Sequence, residues 1–390
     1  HHARHQGAPT PTEGVHAPMV SATTAGAPLI SAWAAISPWG LSGDDFAGGL
    51  AAGRQAKAPL DPETWSVPHP QACLVPDFDI RSILGRKGTR SMDRATGLAV
   101  TALRELLTDR TADGEPARLP GVGEDTGLAL GTSTGSAQSI MDFTRDSLVS
   151  EKPFFVDPAQ FPNTVMNCAA GQSAIWHKLK GPNTTIAGGR ATGLLALQYA
   201  LRLQRAGRAN TVLCGAVEEF SSARAWLEWH SRPQGADAPL LGEGAAVWLL
   251  ETGEAAAEHG RGGLAEVAGL EFGFAAGPEQ AHPVLTEVVE RLLERTGTSA
   301  GEVWAVADSR APGAEGEAER AALAEVFGDH RPRRIAPADA IGDTYAASAA
   351  FQITAVLSLA ERGDAEPGST ALVTSVDRDG VVGAALLRTR

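Results

Sequence analysis

Cysteine is scarce in this sequence: three in 390 residues, at Cys73, Cys168 and Cys214, with no pair in CxxC spacing. That scatter suggests neither a thiolate zinc site nor a disulfide framework, so no metal or other cofactor is expected and a reducing, cytoplasmic setting is the simpler one. Long apolar runs are lacking too. No segment approaches the roughly 20 residues that span a bilayer. Positive charge is also short, with 33 Lys and Arg against 46 Asp and Glu and a formal charge of −13. A mean field of that sign repels phosphate-rich partners, which argues against a nucleic-acid or membrane-surface binder. The local basic cluster Arg331-Pro332-Arg333-Arg334 remains as a contact for a compact acidic partner, although such a cluster is ordinarily a solvated loop.

The opening HHARHQGAPTPTEGVHAP is rich in His, Pro and Gly and has no signal-peptide core; residues 1–27 read as a tag remnant and disordered lead-in. Beyond it, 43% hydrophobic residues suffice for one large or two ordinary packed domains.

Strand and helix patterns alternate along the chain. APLISAWAAIS reads as a buried strand, MDRATGLAVTALRELLTD as a helix with apolar residues three and four apart, and GLALGTSTG as a strand ending in a glycine turn. SAQSIMDFTRDSLV follows as a helix. A further helix is expected over 163–179, around TVMNCAAGQSAIWHKLK, stopped by Gly181-Pro182. TTIAGGRATGLLALQ is then a β-branched strand, a small-residue corner and an amphipathic helix, with Arg190 at the corner. NTVLCGAVEE and LLGEGAAVWLLET are strands, the second antiparallel in look. The second half restarts with the strand GLAEVAGLEFGF and runs through a similar order of elements to two closing strands, STALVTSV and GVVGAALLRTR.

A strand-to-helix corner lifts one side chain out of a sheet above unpaired N–H groups and a positive dipole end. A cysteine there becomes a thiolate; an arginine gains nothing from that field.

Taken in order, GPN, TTIAGGRATGLLAL, NTVLCGAVEE, LLGEGAAVWLLE, SRAPGAEGEAERAALAEVFGD and IGDTYAASAA resemble the β-ketoacyl synthase family, from about Pro28 to Arg390. The resemblance implies an α/β, thiolase-like five-layered αβαβα fold in two pseudo-duplicated halves, 28–250 and 251–390. It places the family's catalytic cysteine at Arg190 and its two histidines at Asp308 and Asp343. The family's phenylalanine-glycine gate becomes SVDRDGVVG, around Asp377, Arg378 and Asp379. Unpaired charges in such a space are expensive, so Arg190 is expected to pair with Asp308, Asp343 or both, and no residue is expected to be catalytic.

A member that keeps the fold and loses the cysteine is similar to the chain-length factors of type II polyketide synthases. Arg190 departs from the glutamine common at that corner, which fits a divergent branch such as the polyene-forming, highly reducing systems. The implied partners are a cysteine-bearing ketosynthase in a heterodimer, an acyl carrier protein, and a polyketide chain in the interface tunnel. Ala137, Ile140, Met141 and Thr144, on the helix after GTSTG, are candidates for closing that tunnel, with ordinary core packing as the alternative for each.

Two other classes compete. One is a divergent active acyltransferase or ketosynthase-like enzyme using Asp308 and Asp343 as an acid–base pair, or Cys168; the other is a homodimeric acyl-binding scaffold. Cys168 lies before the Gly-Pro break inside a helical pattern, which fits a small buried cysteine. Cys214 fits the core of its strand, and His177, beside Trp176 near a helix end, fits a surface or interface histidine.

Overall fold

The computed structural model describes residues 26–109 and 116–390. The expected tag-like lead-in lies, up to residue 25, outside the described residues.

The short apolar runs bounded by turn residues form strands β1 (Leu29–Ile36), β2 (Gly127–Gly131), β3 (Asn183–Ile186), β4 (Thr211–Glu218), β5 (Gly244–Glu251), β6 (Ala265–Phe274), β7 (Val303–Ala307), β8 (Arg333–Ile335), β9 (Thr370–Val376) and β10 (Val381–Thr389). They make one ten-stranded sheet in the order β8-β7-β9-β10-β6-β1-β5-β4-β2-β3. Read outward from its centre, each side repeats one scheme. On one side β5 is antiparallel to β1 and β4, and β2 runs parallel to β4 and β3. On the other β10 is antiparallel to β6 and β9, and β7 runs parallel to β9 and β8. The sides join where Leu29 and Ile30 pair with Glu266 and Ala265. The two edges differ in chemistry: β3 reads Asn-Thr-Thr-Ile, and β8 reads Arg-Arg-Ile.

The longer patterns form helices α1 (Arg94–Leu107), α2 (Ala137–Val149), α3 (Cys168–His177), α4 (Thr192–Arg205), α5 (Ser222–Ser231), α6 (Pro278–Thr296), α7 (Gly313–Phe327) and α8 (Ser348–Glu361). Helices α4 and α8 pack between the two sides of the sheet, α1 and α3 cover one outer face, and α6 and α7 cover the other. This is the five-layered arrangement expected. Strands β4 and β5 are buried at every position, as strands covered on both faces must be. The middle layer needs small residues: a Cβ on Gly193 of α4 would fall 2.6 Å from the Ala350 nitrogen of α8, and Ala349, Ala350 and Ala355 of α8 are fully buried.

Two local expectations are corrected. The helix expected over 163–179 is split into a 3-10 turn, Pro158–Thr164, and α3, which starts only at Cys168. Asn163 is held out of helical register by its side chain, which donates to the Ser91 carbonyl at 2.6 Å and accepts from Cys168 Sγ at 3.4 Å. The basic cluster is not simply a loop, because Arg333 and Arg334 lie in edge strand β8. Among the described residues no helix is long and apolar enough to cross a membrane.

Candidate functional site

Strand β3 delivers the chain to the corner Ala187-Gly188-Gly189, and a 3-10 turn, Gly189–Ala191, leads into α4. Gly189 has φ +61°, and a Cβ there would sit 2.3 Å from Asp377 Oδ1. Only glycine fits both demands. Arg190, the next residue, is buried at the foot of α4. Its guanidinium donates through Nη1 to Asp343 Oδ1 at 2.5 Å and through Nη2 to Asp343 Oδ2 at 3.1 Å. Its backbone N–H donates to Asp377 Oδ1 at 2.8 Å.

Asp343 also accepts from the backbone N–H of Tyr345 at 2.9 Å, a residue in the left-handed region at φ +44°. The Tyr345 ring lies within cation–π range of two guanidiniums, Arg190 at 5.5 Å and Arg378 at 4.9 Å. Arg378 in turn reaches Glu228 of α5 at 3.3 Å. Burial by itself would raise the Asp343 carboxyl, but the charge and hydrogen bonds of Arg190 outweigh it and hold the group below the usual aspartate range.

Asp308 does not join this pair. It is buried at the end of β7, with Oδ1 3.2 Å from Arg310 Nε and Oδ2 3.6 Å from Arg334 Nη1. The parallel register explains the choice, since Val306 pairs with Arg334 on β8 and brings that side chain alongside. Of the two partners expected for Arg190, Asp308 or Asp343 or both, its guanidinium takes Asp343 alone. The acid–base pair weighed for Asp308 and Asp343 is not assembled either, because different arginines hold the two carboxylates. Close to Asp308, Glu319 of α7 accepts from the Ser309 N–H at 3.0 Å, Ser309 Oγ at 2.7 Å and Thr374 Oγ1 at 3.0 Å. Burial, then the Asp308 charge, pushes Glu319 up to about 7.

Beside the corner lies a cavity of about 460 Å³, walled by Gly188, Gly189, Glu218, Glu219, Arg224 and Ala137 among others. Glu218 ends the buried strand β4 and Glu219 follows it; burial is the main cause that pushes them up to about 7 and about 8. Ser133 Oγ donates to Glu218 at 2.8 Å and Ser136 Oγ to Glu219 at 2.6 Å. Arg224 gives its N–H groups to the carbonyls of Glu219, Gly242 and Asp343, at 3.2, 2.6 and 2.8 Å. The sequence signal for these groups was the paired Glu218-Glu219 closing an apolar strand just before the Ser221 helix cap.

The cavity therefore holds carboxyls, guanidiniums and hydroxyls, and none of the three cysteines is among its wall residues. All three thiols are buried and pushed up by that burial, which suppresses the thiolate. Cys168 is indeed a small buried cysteine, though it sits at the first residue of α3, and Cys214 is in the core of β4. His177 is a correction: it is buried, with Nε2 3.0 Å from the Val100 carbonyl oxygen, and burial pushes it down to about 4.

The four tunnel candidates fall on one helix but in different settings. Ala137 lines the cavity, Ile140 is half-buried, and Met141 and Thr144 are exposed. Ala137, Met141, Thr144 and Leu148 form one helical stripe that leaves the cavity and emerges on the surface. There it meets an apolar face that includes Phe154, Phe155, Phe161, Val165 and Ile175, all at least 41% exposed. The 3-10 turn Pro158–Thr164 touches both α2 and α3, and α3 packs on edge strand β3.

A five-layered fold with a strand-to-helix corner over a walled cavity defines a ketosynthase-like protein. The model "Beta-ketoacyl synthase, N-terminal domain" matches residues 29–256, and the chain belongs to the β-ketoacyl synthase family. Among characterised relatives, the 3-oxoacyl-(acyl-carrier-protein) synthase 2 of Synechocystis sp. is 28% identical over 302 residues, 72% of this chain and 68% of the relative. Among solved structures, the ishigamide ketosynthase/chain length factor is 43% identical, with a TM-score of 0.85 over 93% of this chain and 99% of that one. A type II acyl-carrier protein in complex with its ketosynthase, bound to the hexaketide, is similar in fold, with TM-score 0.76 at 17% identity over 94% of this chain and 100% of that one.

Proposed function

We propose that this chain is a catalytically inactive chain-length factor of a type II polyketide synthase. It pairs in the cytoplasm with a cysteine-bearing ketosynthase, which an acyl carrier protein serves, and its helix α2 shapes the tunnel that limits polyketide length. The observation that carries this reading is Arg190. The corner where the family resemblance puts the nucleophile holds a guanidinium gripped by both oxygens of Asp343, so the position is filled by a satisfied ion pair. The 43% identity to the ishigamide ketosynthase/chain length factor supports the same subclass.

The apolar face that continues the Ala137 stripe supports a partner. Leu148 at 78%, Phe154 at 70% and Ile175 at 73% exposure leave large apolar side chains in water, the kind of surface that marks an interaction site when it is contiguous. This face adjoins uncharged edge strand β3, so a second subunit there would bury apolar side chains and extend the sheet together.

The test is co-expression with a cysteine-bearing synthase encoded beside it, followed by product analysis. Co-purification is expected, and Ala137→Trp is expected to shorten the product by filling the cavity end of the stripe. Unchanged length with Ala137→Trp removes the tunnel assignment. Condensation or decarboxylation of malonyl-carrier substrates by the chain alone, abolished by Cys168→Ala, overturns the inactive reading.

A further inference from the structure

A second cavity, of about 340 Å³, opens beside edge strand β8. Its polar wall carries three guanidiniums, Arg310, Arg333 and Arg334, against a single carboxylate, Asp339; Trp39, Leu50 and Leu359 form an apolar wall. A chain of formal charge −13 thus concentrates positive charge in one concavity.

The guanidiniums are held in place from behind. Asp308 is 1% exposed, and its two oxygens tether different arginines, Oδ1 to Arg310 at 3.2 Å and Oδ2 to Arg334 at 3.6 Å. Arg310 adopts φ +51°, a left-handed conformation that few non-glycine residues take. Its Nε lies between two carboxylates, 3.2 Å from Asp308 and 3.7 Å from Asp339, so the donors it has left for a ligand are its Nη groups. The side chain of Arg333 makes no hydrogen bond or ion pair with another described residue. One buried anion therefore holds two arginines, the side chain of the third is unpaired, and all three line a space within the usual size range of small-molecule sites.

We propose that this cavity binds a phosphate monoester, with the oxyanion on Arg310, Arg333 and Arg334 and the organic portion against Trp39, Leu50 and Leu359. Guanidinium forks match phosphate oxygens in pairs, and pre-ordering by Asp308 lowers the entropic cost of closing them on a ligand. The apolar wall distinguishes an ester from free phosphate. This site is independent of the Arg190 corner and of whether the chain is a chain-length factor.

The experiment is calorimetric titration of the purified chain, together with any partner that co-purifies, using inorganic phosphate and phenyl phosphate as probes. Both are expected to bind saturably, phenyl phosphate several-fold more tightly. Arg333→Ala is expected to weaken both about tenfold; because this side chain has no partner, the variant should fold unchanged. Arg334→Ala also unpairs Asp308, so Arg334→Lys, which keeps the charge and loses the fork, is the second variant and should weaken binding by a smaller factor. Absence of saturable binding up to about 10 mM, or wild-type affinity in both variants, overturns the site. Equal affinity for the two probes overturns the ester and leaves a free-phosphate site.

Discussion

The backbone N–H of Arg190 donates to the Asp377 carboxylate at 2.8 Å, so the corner's outward donor is already engaged within the chain. Backbone N–H groups at a helix start are the donors that would steady an oxyanion during acyl transfer, and a carboxylate held there repels one. Restoring the thiol alone should therefore fail. Arg190→Cys is expected to show no condensation of malonyl-carrier substrates above the enzyme-free rate, since Asp377 would also raise the new thiol's pKa. Product formation by Arg190→Cys would refute the proposed inactivation of this corner.

Removing the guanidinium should destabilise the fold. Arg190→Ala leaves Asp343 buried without its counter-charge, a loss of about 3–5 kcal/mol. Arg190→Leu combined with Asp343→Leu should regain most of it, a non-additivity readable in urea unfolding. The pH sign follows from Asp343, whose folded-state carboxyl lies below its unfolded value. Its contribution is fully present above the ordinary aspartate range and is lost as pH falls through the folded value, so Arg190→Ala should blunt acid sensitivity.

The buried glutamates act with the opposite sign. Glu218, Glu219 and Glu319 are pushed up to about 7, 8 and 7, so between about pH 4.5 and 8 the folded chain binds more protons than the unfolded one. Stability should decline with rising pH across that window, by at most about 1.4 kcal/mol per group for each pH unit. Glu219→Gln, which cannot ionise, should flatten the slope of unfolding free energy between pH 5.5 and 8.5. An unchanged slope would place the proton elsewhere.

A second buried ion pair offers a stability test remote from the corner. Arg94 Nε and Nη2 donate to Glu243 at 2.8 and 2.6 Å, and the same carboxylate accepts from the Val75 and Phe220 N–H groups at 2.9 Å each. One side chain thus ties α1, the approach to β5 and two loops together. Arg94→Ala strands a fully buried carboxylate and is expected to cost about 3–5 kcal/mol in urea unfolding. A change below about 0.5 kcal/mol, the scale of an ordinary surface substitution, would deny Glu243 that role.

The alternation of strands and helices was legible because period-2 and period-3.6 apolar patterns report burial directly. The corner was legible through the family resemblance, which brought Arg190 near Asp308 and Asp343; a buried cation then had to meet a carboxylate, and the structure supplies Asp343. Asp308 was not, because its partners come from a left-handed loop residue, Arg310, and from strand register, Arg334, neither visible in local sequence. His177 misled because a polar residue at a helix end usually faces water; here the ring meets the Val100 carbonyl on a neighbouring helix. Asn163 likewise donates to a distant carbonyl, that of Ser91, and the helix begins later than its apolar pattern suggests.

The unlike borders of the sheet bear on how many copies can join it. Bare strand edges recruit further strands, and charged side chains discourage that. The Asn183–Ile186 border carries no ionised group, whereas the Arg333–Ile335 border presents two arginines. Along its sheet direction the chain therefore offers one border without charged side chains. A partner joined through that border leaves the arginine-bearing border of this chain outermost, where charge discourages further strands from running the sheet on into a fibre.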